Sequence, residues 1–340
     1  MNDHAINNAG KIIASAVQLE AVTGDVSANL ERVEELSRKA ILQGAKLIAL
    51  PEFFTSRVAF CEEAFHAVLP PDNEAVDLLR LLASKHECWI GGSMLIADEG
   101  DVYNRYHFVE PDGTIHFHDK DLPTMWENTL YAPGNDAGAF KTNIGDVGAA
   151  VCWELIRTQT AKRLLGKVDI VMTGTHWWTV AYNWGKLARR AIAASEQYNR
   201  YLSENAPVEF ARRIGAPVLQ ASHCGNFTSG YMFVPGLSAS VPYETEFVGC
   251  TQIVDAYGHV MAYRQAQEGP GIVTAEVSLG SVEPLIPLDN RFWLPNLTPI
   301  MKQMWYQQNA CGKSFYKRKG RSLGLKNAKA VAARRAERKG

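Results

Sequence analysis

The chain has 340 residues, of which 46% are apolar and 21% charged, and its formal net charge is −1. That is the usual mix of a globular protein and argues against disorder or a coiled coil. The length suits one large domain or two smaller ones. No apolar run approaches the roughly 18 residues of a membrane-spanning helix, so no membrane partner is expected.

The near-neutral total hides an asymmetry. Residues 312–340 hold eleven Lys or Arg against one acid, Glu337, which leaves 24 basic and 35 acidic residues elsewhere. The C-terminal stretch is thus near +10 and the rest near −11. An acidic body excludes nucleic acid as the default partner. Met1 to Gly10 are polar and lack an export-signal pattern, so a flexible leader and a cytoplasmic location are expected. The six cysteines, at 61, 88, 152, 224, 250 and 311, form no CxxC pair. They are read as reduced thiols, most of them small buried residues.

In chain order, 11–18 (KIIASAVQ) reads as a strand, and 25–43 as a helix with Val26, Leu30, Val33, Leu36 and Ala40 at helical spacing. KLIAL at 46–50 is a strand running into Pro51-Glu52, and 74–86 is a helix. Strands follow at 88–96 and 102–109. Pro111-Asp112-Gly113 turns the chain back into a strand at 114–118. Then come a strand at 147–153, a helix at 158–165, a strand at 169–172, a helix at 187–202 and a strand at 217–222. Further strands are expected at 231–234, 250–254, 260–264 and 272–277. Strands alternating with helices favour an α/β layered fold. The basic stretch, with Ala328 to Ala333, reads as a marginal helix or disorder.

Three strand ends carry a reactive group where the apolar run stops. Glu52 follows IALP, Lys120 follows the hairpin strand, and Cys152 ends VGAAVCW. Sheets hold such groups in place while loops leave them reachable. A carboxylate can take the proton of a thiol, and an ammonium can steady the anion formed on attack. Taken singly, each has an ordinary reading as a core Cys or a surface charge.

Together their order resembles the nitrilase or carbon–nitrogen hydrolase superfamily. The resemblance rests on Leu50-Pro51-Glu52, on Lys120 followed by Pro123-Thr124 and Glu127, and on Cys152-Trp153-Glu154. Tyr103-Asn104, Pro111-Asp112-Gly113 and Gly148 support it. It covers about residues 11–277. It implies a four-layer α-β-β-α sandwich with no metal or other cofactor. Glu52 would be the general base, Cys152 the nucleophile, and Lys120, with the Trp153 N–H, the holder of the tetrahedral intermediate. Glu127 would position Lys120. The chain departs from the family pattern at Asp119 and at Ile156-Arg157-Thr158-Gln159, which bears on substrate more than on the catalytic set.

The resemblance implies hydrolysis of a nitrile, or else an amide, through a cysteine thioester. Alternatives on the same scaffold are an amidase or N-carbamoyl amidohydrolase, or an acyltransferase. A non-enzymatic module acting through its basic tail is a third class. The expected division is a hydrolase domain at 11–280, a packing or subunit-contact segment at 281–311, and a basic, mostly solvated tail at 312–340. The partners expected are a small nitrile or amide and further copies of the chain, as a dimer or larger homo-oligomer. Trp126, Trp153, His176 and Trp177 are candidate substrate-binding residues. The aromatic run 176–184 can line a pocket or fill a core or subunit contact, and both readings stand. In the pocket, it would favour a bulky, apolar acyl group such as an aryl.

Two rivals carry less. His223 and Cys224 are sequence neighbours, and on a strand they would point to opposite faces, so they cannot simply pair. His116 and His118 share a strand face, but no third metal ligand stands at a fixed offset.

Overall fold

The computed structural model describes residues 10–59, 61–235 and 240–339; of the expected flexible leader, only Gly10 falls within them. The elements are β1 (Lys11–Leu19), α1 (Val26–Leu42), β2 (Leu47–Ala49), α2 (Glu74–His86), β3 (Trp89–Asp98), β4 (Asp101–Val109), β5 (Ile115–Asp119), β6 (Ala139–Thr142), β7 (Gly145–Ala149), α3 (Thr158–Leu164), β8 (Ile170–Thr175) and α4 (Lys186–Ile214). They continue with β9 (Val218–His223), β10 (Asn226–Tyr231), β11 (Val241–Glu246), β12 (Gly249–Val254), β13 (Val260–Gln265), β14 (Gly271–Ser278), α5 (Pro299–Phe315) and α6 (Arg321–Lys339).

Hydrogen bonding orders the strands β5-β4-β3-β2-β1-β9-β8-β7-β6, with β14 on β1, β12 on β9 and β13 on β12. β10 and β11 form a separate hairpin. The β1–β9 junction is short, Gln18 with Ser222 and Leu19 with His223, and the two halves of the path face each other. Alternation along β2 shows the layers. Leu47 and Ala49 share a buried cluster with Ala149, Ile170 and Met172 of the opposite half. Ile48 points the other way, into a cluster with Val33 and Leu36 of α1 and Leu79 and Leu82 of α2. On the far side, α3 and α4 bring Leu164, Phe210 and Ile214 against the β7–β9 half. The result is the α-β-β-α sandwich. A strand buried on both faces reads as a continuous apolar run, which is why KLIAL lacks polar alternation.

Local signals set the helix starts. The Asp25 side chain accepts the Ala28 N–H at 3.0 Å, and the Asn73 side chain accepts those of Ala75 and Val76 at 2.9 and 3.0 Å. Such caps are each worth about 1 kcal/mol.

Several expectations shift. The strand expected at 147–153 ends at Ala149, and Cys152 instead opens a short 3-10 turn, Cys152–Ile156. The helix expected at 187–202 runs on to Ile214, through Pro207. β6, β10 and β11 were not expected at their positions. The basic stretch, read as a marginal helix or disorder, is helical. Tyr316 and Ala328 are buried there, and Lys319, Arg321 and Arg335 pair with Glu62, Asp101, Asp72 and Asp77 of the chain's own acidic body. The segment before it also packs within the chain. Trp293, Leu294, Leu297, Met301 and Trp305 join the core around Trp153. No described helix is long and apolar enough to cross a membrane.

Candidate active site

β1, β2, β3, β5, β7, β8 and β9 all run in the same direction, since β1–β2, β2–β3, β7–β8, β8–β9 and β1–β9 are parallel and β5 reverses β4 twice over. Their C-terminal ends therefore share one edge, where α/β folds place ligands. Glu52 follows β2, Lys120 follows β5, Cys152 follows β7 and His176 follows β8. Residues far apart in the chain meet there. Lys120 Nζ donates to Glu52 Oε1 at 2.8 Å and to Glu127 Oε2 at 2.8 Å. Glu52 and Lys120 are fully buried, and the Cys152 thiol is within reach of the Glu52 carboxyl.

The backbone is tightly held around them. Gly174 of β8 passes so close to Pro51-Glu52 that a Cβ would sit 2.2 Å from the Glu52 nitrogen, so only glycine fits. Phe53, Met125 and Cys152 adopt positive φ values of 54°, 52° and 55°. For non-glycine residues these conformations cost about 1–3 kcal/mol each, and they gather where surrounding structure enforces them.

Each charged group has defined partners. The Asn104 amide donates to Glu52 Oε1 at 2.8 Å, and His223 Nε2–H donates to the Glu52 backbone carbonyl at 2.6 Å. Glu52 Oε2 has no hydrogen-bond partner of ordinary geometry among the described residues. Glu127 sits on the 3-10 turn Met125–Thr129, and its Oε2 also accepts the Thr124 N–H at 2.9 Å and the Tyr131 hydroxyl.

Electrostatics follow from this burial. Desolvation raises Glu52 to about 7, against the pull of Lys120. Burial alone would lower Lys120, but the carboxylates of Glu127 and Glu52 outweigh it and hold the ammonium well above its usual range. Burial, with Glu52 and then Glu127 adding to it, pushes the Cys152 thiol well up, while Lys120 and the His176 backbone N–H favour the thiolate. The resting site is a neutral thiol beside a carboxyl poised near neutrality, a pairing that can exchange a proton.

Above the thiol lies a cavity of about 360 Å³, and all four candidate substrate-binding residues, Trp126, Trp153, His176 and Trp177, line it. Trp153 lies between Trp177 and Trp305, at centroid distances of 5.6 and 5.8 Å. The run 176–184 thus lines the cavity and packs the core at once. Sequence reasoning missed the walls given by Tyr231, Tyr243 and α5, as well as Tyr131. The last offers no signal in the sequence beyond its spacing from Glu127.

The rivals have other settings. Burial raises Cys224 to about 12 and lowers His223 to about 4, leaving an unreactive thiol and a neutral ring that braces Glu52. His116 pairs with Glu110 at 2.7 Å, and His118 with Asp136 and Glu154 at 2.6 and 3.0 Å. Among the described residues, no group of three or more His, Cys, Asp or Glu side chains could hold a metal ion.

His118 belongs to a second buried ionic cluster. Glu154, in the turn that Cys152 opens, accepts the Val151 N–H at 2.6 Å on Oε2 and the Asp121 N–H at 3.1 Å on Oε1. One carboxylate thus ties the residue before Cys152 to the residue after Lys120. Its charge is met by His118 and by Arg163 at 3.4 Å.

Known proteins show matching features. Omega-amidase NIT2 of Mus musculus is 29% identical over 201 residues, which are 53% of this chain and 70% of that protein. The bifunctional nitrilase/nitrile hydratase NIT4A of Lupinus angustifolius is 28% identical over 176 residues, 44% of this chain and 50% of its own length. A carbon-nitrogen hydrolase from Helicobacter pylori G27 shares the fold, with a TM-score of 0.63 at 19% identity over 80% of this chain and 90% of that one. The family model for carbon-nitrogen hydrolases matches residues 13–287, most of the chain and all of the site's charged residues. The chain belongs to the carbon–nitrogen hydrolase family.

Proposed function

We propose that the protein hydrolyses the C–N bond of a nitrile, or of the corresponding amide, on a small molecule with an uncharged, aryl-sized acyl part. Cys152 Sγ attacks the electrophilic carbon while Glu52 takes the thiol proton. Lys120 and the Trp153 N–H meet the negative charge that develops. On the amide, the C–N bond breaks, Glu52 returns the proton to the departing ammonia, and a thioester remains. Water deprotonated by Glu52 then releases the acid and restores the thiol. A nitrile first gives a thioimidate, and one further water brings it to the same tetrahedral adduct. Glu127 keeps the Lys120 ammonium aimed at the centre.

The observation that carries this reading is the unpartnered Glu52 Oε2 beside the Cys152 thiol on the floor of an aromatic-lined cavity. The nitrile stands first because Lys120, Pro123, Thr124, Glu127 and Cys152-Trp153-Glu154 follow nitrilase-like spacing. Ammonia release from aryl nitriles and their amides, with mass spectrometry of trapped acyl adducts, tests it. The expected result is turnover with the adduct on Cys152. Release that persists in Cys152→Ala, or an adduct on another residue, would overturn it.

A further inference from the structure

The family match ends at residue 287, but one wall of the cavity above Cys152 lies beyond it. Ile300, Met301, Met304 and Gln308 of α5 form that wall. Their spacing places them along one face of the helix. Three are apolar, and methionine adapts its shape to what it packs against.

Gln308 stands apart. It is only 2% exposed. A buried amide is tolerated when its polar atoms are satisfied. Its Nε2 donates to the Tyr231 hydroxyl at 2.7 Å, and no described residue donates to its Oε1. Two other polar groups of the lining, Asn199 and the Tyr243 hydroxyl, are committed within the protein. Asn199 accepts from Trp177 Nε1 at 2.6 Å and donates to the Trp178 carbonyl at 2.8 Å. The Tyr243 hydroxyl donates to the Thr179 carbonyl at 2.6 Å. Among the described residues, no lysine or arginine lines the cavity, so a carboxylate entering it would find no counter-ion. Away from the catalytic floor, the cavity therefore offers mainly aromatic surface, and on its α5 wall Gln308 Oε1 is an acceptor that takes no hydrogen bond from a described residue.

We propose that α5 is the specificity wall of this site and that Gln308 Oε1 accepts a hydrogen bond from the substrate's acyl part, an aromatic ring bearing a hydroxyl or N–H group. This rests on the reading of the cavity as the acyl pocket of a Cys152 hydrolase and adds the chemistry of the acyl group. A site built to hydrogen-bond a substrate hydroxyl rejects the analogue that lacks it, because the buried acceptor is left unpaired.

The test compares paired 4-hydroxyphenyl and phenyl substrates, nitriles and amides, by kcat/KM from ammonia release. A second arm measures binding of the same amides to Cys152→Ala by calorimetry. The hydroxyl member should be favoured by about tenfold in both arms. Gln308→Leu should bring the ratio close to one, and Tyr231→Phe, which frees the Gln308 amide to turn, should reduce it part of the way. A ratio near one in the parent protein, or one unchanged by Gln308→Leu, overturns the proposal. If no pair is turned over, the hydrolase reading fails, and the binding ratio still decides the role of Gln308 by itself.

Discussion

Glu52 and Glu154 are both fully buried carboxyls a short way along the chain from a strand end, yet they titrate in opposite directions. Burial raises Glu52 to about 7, and a single oxygen carries both its cation and its amide donor. Burial also acts to raise Glu154, but His118, Arg163 and Arg157 overcome it and hold that carboxyl well below its usual range. Two backbone N–H groups complete its shell. The difference lies in how completely each carboxylate is partnered, not in depth. The spare oxygen of Glu52 is suited to move a proton. The saturated Glu154 is suited to hold two segments in register.

The contrast is most sharply tested by removing each group. Cys152→Ala should lower ammonia release by at least about 10³-fold. Glu52→Gln should lower it by about 10²–10⁴-fold, with the urea midpoint little changed. Glu154→Leu should do the reverse in kind. It strands His118, Arg163 and two N–H groups, and breaking such a buried pair costs about 3–5 kcal/mol of stability, read by urea unfolding. A Glu154→Leu protein as stable as the parent would erase the distinction between the two carboxyls.

Acidity offers a second way to separate them. In the proposed mechanism Glu52 takes the thiol proton as its anion, so kcat/KM should rise with pH through about 7 and then level off. Burial would lower His118, but Glu154 and Asp136 outweigh it and raise the ring from 6.5 to about 9. A raised folded pKa gives stability that is complete below the unfolded value and lost as the pH climbs through the folded one. Urea midpoints should therefore fall between about pH 6.5 and 9, over part of which activity is still rising. For Glu154, held low, the stabilisation stands above 4.5 and fades as the pH drops below it. His118→Gln should flatten the alkaline fall in stability. Midpoints that stay level across that range in the parent would count against the cluster as drawn.

The places of Glu52 and Cys152 could be read from the sequence because each follows an apolar run, and a strand buried on both faces has a plain signature in KLIAL and VGAAV, whereas Lys120 was placed by the Pro111-Asp112-Gly113 turn and the hairpin strand after it. The sandwich was legible for the same reason, with the family resemblance joining the pieces. The turn at Cys152 was not, since a positive φ at a non-glycine residue is enforced by surroundings rather than by local preference. Nor was the partnering that separates Glu52 from Glu154. Asn104, Tyr131, His118 and Arg163 lie tens of residues away or give no spacing cue, and only the fold decides which oxygen each one reaches. β11 was hidden by Pro242 and two glutamates in VPYETE, residues that disfavour a strand. The C-terminal helices were hidden by Gly312, Gly320 and Gly324 and by charge. Gly320 lets the chain press on the Thr129 carbonyl, where a Cβ would lie 2.1 Å from the oxygen. Tertiary packing, not propensity, makes that helix.

A third set of ionic contacts marks the weak end of the comparison. Arg335 reaches Asp72 at 2.8 Å and Asp77 at 2.5 Å, but those acids are 67% and 51% exposed. Exposed pairs of this kind are worth about 0–1 kcal/mol and are screened by salt. By contrast, the Tyr316 hydroxyl accepts the buried Val102 N–H at 2.9 Å and donates to Asp101 at 2.9 Å. Tyr316→Phe leaves that N–H unpaired and should cost about 1–3 kcal/mol. Arg335→Ala should cost less than about 1 kcal/mol, and the loss should shrink further in high salt. Urea midpoints of the two variants, at low and high ionic strength, rank the contacts. A loss on Arg335→Ala that matched Tyr316→Phe and resisted salt would mean that the basic helix is held by its charges. The expected order means that it is held by what it buries, and that its positive surface is matched to the acidic body without fixing it in place.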